Sequence, residues 1–359
     1  MGVHLISAQQ AIEGMDQAPG PHGFHAIVDA RTPSEFSLDH LPGALNWPSL
    51  QDHERVEVGT MYKQVGPFEA SKLGAMRVAA NIAKHIEQHL LDKPKHWRPL
   101  VYCWRGGKRS GSLALVMGQI GFHVSVIEGG YKAFRAAMLA DLVQRVAPLR
   151  FRVIAGPTGS GKTRLLQALT QSGAQVLDLE ALAHHRSSVL GRVSGQSQPS
   201  QKRFDTQVWN QLRQFDPQRV VFVEAESKKV GNVAVPDALM QAMRSSPCID
   251  LQLTTEERVK LLMEDYDFFV RDTALFGQRL VLLTEIQGHA VVQRWLTELQ
   301  NGECESVVRD LLVRHYDPTY AKSIARNFKG MAQAVQVQLN DRHADSFNAV
   351  AQSLIAATA

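Results

Sequence analysis

Short apolar runs alternate with longer amphipathic stretches along the first part of the chain. The runs at 25–30, 99–103 and 123–127 are compact and apolar, a pattern that predicts buried strands. Between the first two, apolar side chains recur at helical spacing over 72–91, which predicts an amphipathic helix. This alternation predicts a parallel sheet, with functional loops at the carboxyl ends of its strands.

The alternation starts again beyond a predicted connecting helix at 132–147. Further strands are predicted at 150–156, 174–180 and 219–226, and the last two end in acidic residues. From Thr255 onwards glycine and proline become sparse and helical spacing dominates, which predicts a helical C-terminal region.

The length and composition of the chain, taken with this pattern, predict how many domains it has and where they lie. The chain of 359 residues accommodates about two domains, and we place these α/β domains at 1–147 and 148–359. Hydrophobic residues make up 44% and charged residues 21%, which excludes disorder, collagen and coiled coil as descriptions of the whole chain. The chain has no apolar run of about 18 residues and no signal-type N-terminus, so we expect a cytoplasmic protein without a membrane partner. Of its cysteines, Cys248 and Cys304 lie in no reactive setting and are expected to be structural.

Positive charge is concentrated in one part of the sequence. The whole chain has 39 basic and 35 acidic side chains, a net charge of +4. Residues 105–164 have ten basic and two acidic side chains, so this segment carries +8 and the remainder −4. Such a zone favours an anionic partner, either phosphates or a nucleic acid. The alternative is that its cations belong to two phosphate-binding motifs and to solvated helix faces.

The first motif with a clear chemistry is GPTGSGKT, residues 156–163, between a predicted strand and a predicted helix. It fits the phosphate-binding pattern G-x-x-x-x-G-K-[ST] of a P-loop at every fixed position. Its glycines let backbone N–H groups point at a phosphate, and the helix N-terminus adds partial positive charge. The predicted ligand-binding residues are Gly156, Gly159, Ser160, Gly161, Lys162 and Thr163. Lys162 would reach a terminal phosphate, and Thr163 would hold Mg²⁺.

Acidic residues near the ends of two strands could supply a second ligand for Mg²⁺. Asp178 and Glu180 follow one predicted strand, and Glu224 and Glu226 follow the other. Glu224 is the preferred candidate, because RVVFVE is the more apolar of the two strands. Taken alone, each acid fits a solvated loop residue better than a metal ligand.

The second motif is CWRGGKRSGS, residues 103–112, which opens directly after a predicted buried strand. Backbone N–H groups around Gly106 and Gly107, together with nearby cations, favour the thiolate and predict a lowered pKa for Cys103. A thiolate in this setting is a nucleophile that can take sulfur or selenium from an anionic donor. The residues predicted to act here are Cys103, Arg105 and Arg109, with Gly106 and Gly107 as binding residues.

At this loop the N-terminal domain resembles the rhodanese (sulfurtransferase) domain. The segment 29–36 resembles the rhodanese pattern D-x-R-x-x-x-E-[FY], and 128–130 resembles its closing E-G-G. The segment 39–48 resembles G-H-[IL]-P-G-A-x-N-x-P, with Asp39 in place of the usual glycine. Lys108 stands where many rhodaneses have arginine. The resemblance implies a rhodanese-like parallel sheet, followed by a P-loop NTPase-like α/β domain.

The direct succession of a rhodanese-like domain and a P-loop domain is a rare pairing. Together with the segments 57–70, 177–186 and 221–231, it resembles the tRNA 2-selenouridine synthase family over essentially the whole chain. The resemblance implies an enzyme that converts wobble 2-thiouridine of tRNA to 2-selenouridine through S-geranyl-2-thiouridine. Geranyl diphosphate and selenophosphate are the implied co-substrates, with Mg²⁺ at the P-loop and no prosthetic group. The synthase that makes selenophosphate is a candidate partner.

This chemistry gives each motif a task. Lys162, Thr163 and the loop N–H groups would hold the diphosphate that leaves when geranyl is transferred. Cys103 would handle selenium as a perselenide carrier or by positioning the donor, and Arg105 and Arg109 would hold the donor phosphate. The basic segment would bind tRNA phosphates.

Other residues and functions stay open. Trp104, beside Cys103, is a candidate for stacking on the wobble base, with packing in the loop as the alternative. His184, His185 and Arg186 would contact phosphate, transfer a proton or simply begin a solvated helix. One alternative function is a rhodanese sulfurtransferase fused to an ATP-using P-loop kinase. The other is a non-enzymatic adaptor that binds tRNA in sulfur relay.

Overall fold

The structure is a computed structural model that describes residues 2–186 and 197–358. The chain folds into two compact units. The first contains residues up to Gln144 together with Pro199–Arg213, and the second contains the described residues of Arg145–Gln198 and those from Gln214 onwards. None of the described helices is long and apolar enough to cross a bilayer.

The first unit is built on a parallel sheet. Its elements up to the first unit boundary are, in chain order, β1 (Gly2–Ile6), α1 (Ala8–Met15), β2 (Ala26–Asp29), α2 (Pro33–Leu38), β3 (Ala44–Asn46), α3 (Asp52–Gln64), α4 (Pro67–His89), β4 (Pro99–Tyr102), α5 (Lys108–Ile120), β5 (His123–Ile127) and α6 (Gly130–Val146). The described strands lie in the order β1-β5-β4-β2-β3. Val28, Val101 and Val126 of three strands pack with Leu113 and Met117 of α5 in one apolar core. This packing fixes α5 and the loop that precedes it.

The second unit has a parallel sheet of its own and a helical C-terminal part. The remaining elements of the chain are β6 (Arg150–Ala155), α7 (Lys162–Gln171), β7 (Gln175–Leu177), α8 (Leu179–Ala183), α9 (Gln201–Leu212), β8 (Val220–Glu224), β9 (Lys229–Val230), β10 (Val233–Ala234), α10 (Asp237–Ser245), β11 (Pro247–Gln252), α11 (Thr255–Asp265), α12 (Asp267–Arg271), α13 (Thr273–Val281), α14 (Thr284–Gln287), α15 (His289–Gln300), α16 (Cys304–Leu311), a π-helical turn (Leu312–Tyr316), α17 (Asp317–Asn327), β12 (Gly330–Gln338) and α18 (Ala344–Ala356). Within the described residues the sheet order is β12-β11-β6-β8-β7, and β9 and β10 form a short antiparallel pair. Leu165 of α7, Ile249 of β11 and Phe347 of α18 share one core.

Helix α9 belongs to the first unit, although its sequence lies beyond the P-loop. The Trp209 indole N–H donates to the buried Asp141 carboxylate at 2.7 Å. The Thr206 hydroxyl donates to Asp39 Oδ2 at 3.0 Å. Asp39, the departure from the rhodanese pattern, is thus a buried acceptor that holds α9 on this unit.

The α/β class, the parallel sheets and the helical C-terminal region agree with the sequence pattern. The predicted domains 1–147 and 148–359 differ from the observed units at Pro199–Arg213, because chain position does not encode where a helix packs. Strand β12 lies inside the region predicted to be helical. There Val335 and Val337 alternate with glutamines, and the two-residue period fits a strand pairing with β11.

Candidate functional site

Cys103 directly follows β4, and its side chain is 3% exposed. The loop that follows it packs tightly against the start of α6. Gly130 has φ +61° there, and a Cβ at this position would lie 2.3 Å from the Cys103 carbonyl oxygen. Only glycine fits this contact, so the G-G after Glu128 shapes the cysteine loop.

Hydrogen bonds around the sulfur favour the thiolate. Burial alone would raise the pKa of Cys103, but the Ser110 hydroxyl and the N–H groups of Ser110, Gly107 and Arg105 lower it below the ordinary value. The Ser110 Oγ lies 3.1 Å from the sulfur. A cysteine whose thiolate is favoured in this way is chemically suited to act as a nucleophile.

Replacing Ser110 by alanine is expected to raise the pKa of Cys103, because it removes a hydrogen bond that stabilises the thiolate. The rate of Cys103 alkylation by iodoacetamide, followed by peptide mass spectrometry, would then reach half its plateau at a higher pH. Ser112→Ala, in the same motif, is the matched control and should leave this midpoint in place. An unchanged midpoint in Ser110→Ala would contradict the role of the hydroxyl.

The predicted cations of this loop differ in their surroundings. Arg109 Nη1 donates to Glu35 Oε2 at 2.6 Å, and this ion pair is mostly buried. Burial would raise the pKa of Glu35, but Arg109 outweighs it and keeps this pKa below the ordinary value. Arg105 and Lys108 are exposed. Arg109 therefore ties the loop to α2, and Arg105 presents its charge to solvent beside Cys103.

Trp104 lies in a stack of rings and cations. Its ring is 5.4 Å from that of Tyr131, with an angle of 24° between the planes. Lys202 Nζ lies 5.6 Å from the Trp104 ring, and the Arg31 guanidinium lies 4.1 Å from the Tyr131 ring. The indole is half-buried and has cations beside it, so this geometry is compatible with stacking of the Trp104 ring on a base. Stacking on the wobble base stays a prediction.

The P-loop of the second unit connects β6 to α7. Gly161 has φ +86°, and a Cβ at this position would lie 2.4 Å from the Phe347 ring. Lys162 Nζ donates to the Gly156 carbonyl oxygen at 2.9 Å and lies 3.7 Å from Glu224 Oε1. The Ser160 hydroxyl is fully buried and has no hydrogen-bond partner among the described residues. Ser160 does not line the cleft beside the loop, so its hydroxyl is enclosed within the fold.

Two residues far away in sequence hold this loop. The Gly156 N–H donates to the Tyr320 hydroxyl at 2.5 Å. Arg258 donates to the Thr158 carbonyl oxygen at 2.9 and 2.7 Å and pairs with Asp317. The loop is therefore fixed from both sides by the helical part of its own unit.

Three carboxylates lie beside the loop. Oxygen atoms of Glu180, Glu224 and Glu226 all lie within 4.8 Å of one another. Glu224 is 4% exposed, and its Oε2 has no hydrogen-bond partner within the described parts of the chain. Burial, followed by the charge of Glu180, raises the pKa of Glu224 well above its ordinary value. Such a set fits a divalent cation, whose charge would offset the buried carboxylates.

The four acidic residues considered as Mg²⁺ ligands have different positions in the structure. Asp178 accepts a hydrogen bond from the Ala181 N–H at 2.8 Å and caps α8. Glu180 lies in the first turn of α8 and not at a strand end. Glu224, the preferred candidate, lies 3.7 Å from Lys162 Nζ and is almost completely buried.

The P-loop, the carboxylates and α17 border a cleft of about 410 Å³. Thr163, Arg186 and Tyr320 also line it. Arg186 lies 4.7 Å from the Tyr266 ring, whereas the Nδ1 of His184 lies 3.2 Å from the Ser197 carbonyl oxygen. Of the three residues considered at this segment, Arg186 is the one that lines this cleft among the described residues.

Several residues that shape the two loops were not predicted from the sequence. Ser110 lies in the cysteine motif, three residues after Gly107. A hydroxyl at this position is a local signal from which a hydrogen bond to the cysteine sulfur could have been predicted. Tyr320 and Arg258 carry no local signal, because each contacts the P-loop across 100 residues or more of sequence. Cys248 and Cys304 are buried, and burial raises the pKa of both thiols, as expected of structural cysteines.

The folds and loops define the class as a rhodanese-like cysteine domain joined to a P-loop domain. Family models agree: residues 7–137 match the rhodanese-like domain, and residues 149–280 match the tRNA 2-selenouridine synthase AAA domain. Curated relatives match both units together, as follows.

A tRNA 2-selenouridine synthase of Aeromonas salmonicida is 31% identical over 89% of this chain and 94% of its own length. One from a Sulfurovum species is 30% identical over 91% of this chain and 100% of its own length. One from Nitrosomonas europaea is 39% identical over 67% of this chain, and the match spans 63% of that relative. The chain belongs to the tRNA 2-selenouridine synthase family.

Proposed function

We propose that this protein is an enzyme that replaces the sulfur of wobble 2-thiouridine in tRNA by selenium. One observation carries the proposal: a cysteine with a lowered pKa in an anion-type loop and a complete phosphate-binding loop lie on one chain. The name of the relatives supports tRNA as the substrate. Each loop serves one of two successive steps.

The first step alkylates the sulfur at the P-loop. The sulfur of 2-thiouridine attacks the first carbon of geranyl diphosphate, so that a C–S bond forms while the C–O bond breaks. The diphosphate leaves with the bonding electron pair, and the loop N–H groups and Lys162 stabilise its charge. Alkylation makes C2 of the base more electrophilic and turns the sulfur into a better leaving group.

Mg²⁺ fits the acidic side of this cleft. Glu180, Glu224 and Glu226, with Thr163 on the loop, would hold it. When bound, the cation supplies positive charge next to the diphosphate. The buried, unpartnered Oε2 of Glu224 supports this assignment.

The second step takes place at the cysteine loop. Selenium from selenophosphate forms a bond to C2 while the C–S bond breaks and geranylthiol departs. Hydrolysis of the remaining Se–P bond releases phosphate. Cys103 holds the selenium donor in place for this exchange, and Arg105 supplies positive charge for the phosphate group.

The test is to incubate the full chain with 2-thiouridine-containing tRNA, geranyl diphosphate and selenophosphate, and to weigh the nucleosides after digestion. We expect S-geranyl-2-thiouridine when selenophosphate is omitted and 2-selenouridine when both co-substrates are present. ATP hydrolysis and transfer of sulfur from thiosulfate to cyanide are measured in parallel. If neither nucleoside forms while ATP is consumed, the kinase fusion is correct and the proposal is wrong.

A further inference from the structure

Exposed cations lie on the cysteine loop of the first unit and on the helices that border it. Arg105 follows Trp104 in the loop, and Lys108 begins α5. Lys132 of α6 donates its backbone N–H to the Trp104 carbonyl oxygen at 3.1 Å, and Lys202 of α9 places its Nζ 5.6 Å from the Trp104 ring. Within the described parts of the chain, none of these four cations forms an ion pair. Their charge is therefore available to an anionic partner.

Helix α9 holds Lys202 in this position through its backbone. The Lys202 carbonyl oxygen accepts a hydrogen bond from Arg135 Nη1 at 3.0 Å, and Arg135 Nη2 pairs with Asp205 at 2.6 Å. Ser200, the N-cap residue, donates its hydroxyl to the Leu38 carbonyl oxygen. The start of α9 is thus bonded to α2 and α6, and the exposed side chain of Lys202 extends from a fixed point.

One buried carboxylate connects this helix to the rings at the cysteine loop. Asp39 Oδ2 accepts a hydrogen bond from the Tyr131 hydroxyl at 2.6 Å and another from the Thr206 hydroxyl at 3.0 Å. The Tyr131 ring is the one that stacks on Trp104. Asp39 therefore fixes both the ring behind Trp104 and the helix that carries Lys202.

We propose that Lys202 binds a backbone phosphate of the tRNA nucleotide whose base stacks on Trp104; this inference rests on the proposed function, which makes tRNA the substrate. Single-stranded nucleic acids are commonly bound by aromatic rings that stack on bases and by cations that contact the backbone. A lysine suits this contact, because its flexible stem carries a point charge. Lys202 lies outside the basic segment 105–164 and outside the rhodanese-like match at 7–137, so α9 adds a tRNA contact that neither indicates.

The phosphate group of the selenium donor is the other anion that could reach this surface. The position of Lys202 favours tRNA, because its charge lies beside the Trp104 ring, whereas the described contacts of the Cys103 sulfur do not include it. Steady-state kinetics in which each substrate is varied in turn distinguishes the two phosphates.

Two variants of the full chain separate the charge of Lys202 from its packing on the ring. Lys202→Met keeps an unbranched apolar stem but has no charge, and Lys202→Arg keeps the charge. Lys84→Met is the matched control, because Lys84 is an exposed lysine on α4 of the same unit. The Kd for 2-thiouridine tRNA is measured at salt concentrations from about 0.1 to 1 M. The KM values for tRNA and for selenophosphate in 2-selenouridine formation, and thermal unfolding, are measured on the same samples.

We expect Lys202→Met to reduce the slope of log Kd against log salt concentration by about one, the contribution of one phosphate contact. At about 0.1 M salt this corresponds to tRNA binding that is weaker by roughly tenfold, and the difference should disappear towards about 1 M salt. Lys202→Arg should restore the slope, and the KM for selenophosphate should stay unchanged. Trp104→Leu should weaken tRNA binding by about tenfold at every salt concentration, because stacking releases no counterions.

An unchanged slope in Lys202→Met, an equal loss of binding at low and high salt, or the same change in Lys84→Met would overturn the inference. Unchanged tRNA binding in Trp104→Leu would also overturn it. A raised KM for selenophosphate together with normal tRNA binding would assign Lys202 to the donor instead. Absence of tRNA binding or of 2-selenouridine formation in the unaltered protein would overturn the proposed function, so the two failures are distinct.

Discussion

Replacing Lys162 by alanine is expected to reduce geranylation of 2-thiouridine tRNA by about 10²- to 10³-fold, the usual loss when one preorganised group that stabilises a leaving anion is removed. Lys162 lies between the Gly156 carbonyl oxygen and Glu224, and the proposed mechanism uses its charge to stabilise the departing diphosphate. The measurement is the initial rate of S-geranyl-2-thiouridine formation, with selenophosphate omitted.

The effect must be separated from a loss of folding. Without Lys162, buried Glu224 loses its nearest opposite charge, so thermal unfolding is recorded for the same sample. Lys260→Ala is the matched control, since Lys260 is an exposed lysine of the same unit that pairs with Glu257. A folded Lys162→Ala protein that geranylates tRNA at the normal rate would contradict the assignment of the P-loop to this step.

Replacing Cys103 by alanine is expected to stop selenium incorporation while geranylation continues. The geranylated nucleoside should then accumulate, because the proposed mechanism assigns its formation to the other loop, and 2-selenouridine should fall by roughly 10³-fold or more. This variant removes the sulfur that is proposed to take part in the exchange, whereas the glycine contacts that shape the loop remain. Nucleoside mass analysis of one reaction mixture reports both products.

Two further variants sharpen this result. Cys304→Ala removes a buried thiol of the second unit and should leave both products unchanged once folding is verified. Cys103→Ser keeps a hydrogen-bonding group next to Ser110 but loses the thiolate. A serine variant that made 2-selenouridine at the normal rate would show that Cys103 has no part in handling selenium.

Local sequence signals predicted the parts of both sites that are local in space. Cys103 and the loop after it, and the eight residues 156–163, each connect a strand to the following helix, as the patterns indicated. In these two loops the backbone conformation depends on residues that are a few positions apart. Glycine at fixed positions is therefore a direct sequence indication of that conformation.

Contacts distant in sequence could not be predicted in this way. Tyr320 reaches the Gly156 N–H across 164 positions, and Thr206 reaches Asp39 across 167. Neither residue has a neighbour that marks it as part of a site.

The placement of α9 also bears on how the protein is made. A ribosome releases the chain from its N-terminus, at about 5–20 residues per second. The first unit lacks Pro199–Arg213 until the 69 residues after Gln144 have been synthesised, a delay of roughly 3–14 s. During that interval the hydrogen bonds from α9 to Asp39 and Asp141 cannot form, although the P-loop strand β6 and helix α7 have already been synthesised. The nascent N-terminal half is therefore an incomplete folding unit, and a gene fragment cut between the two motifs would encode that same unfinished state.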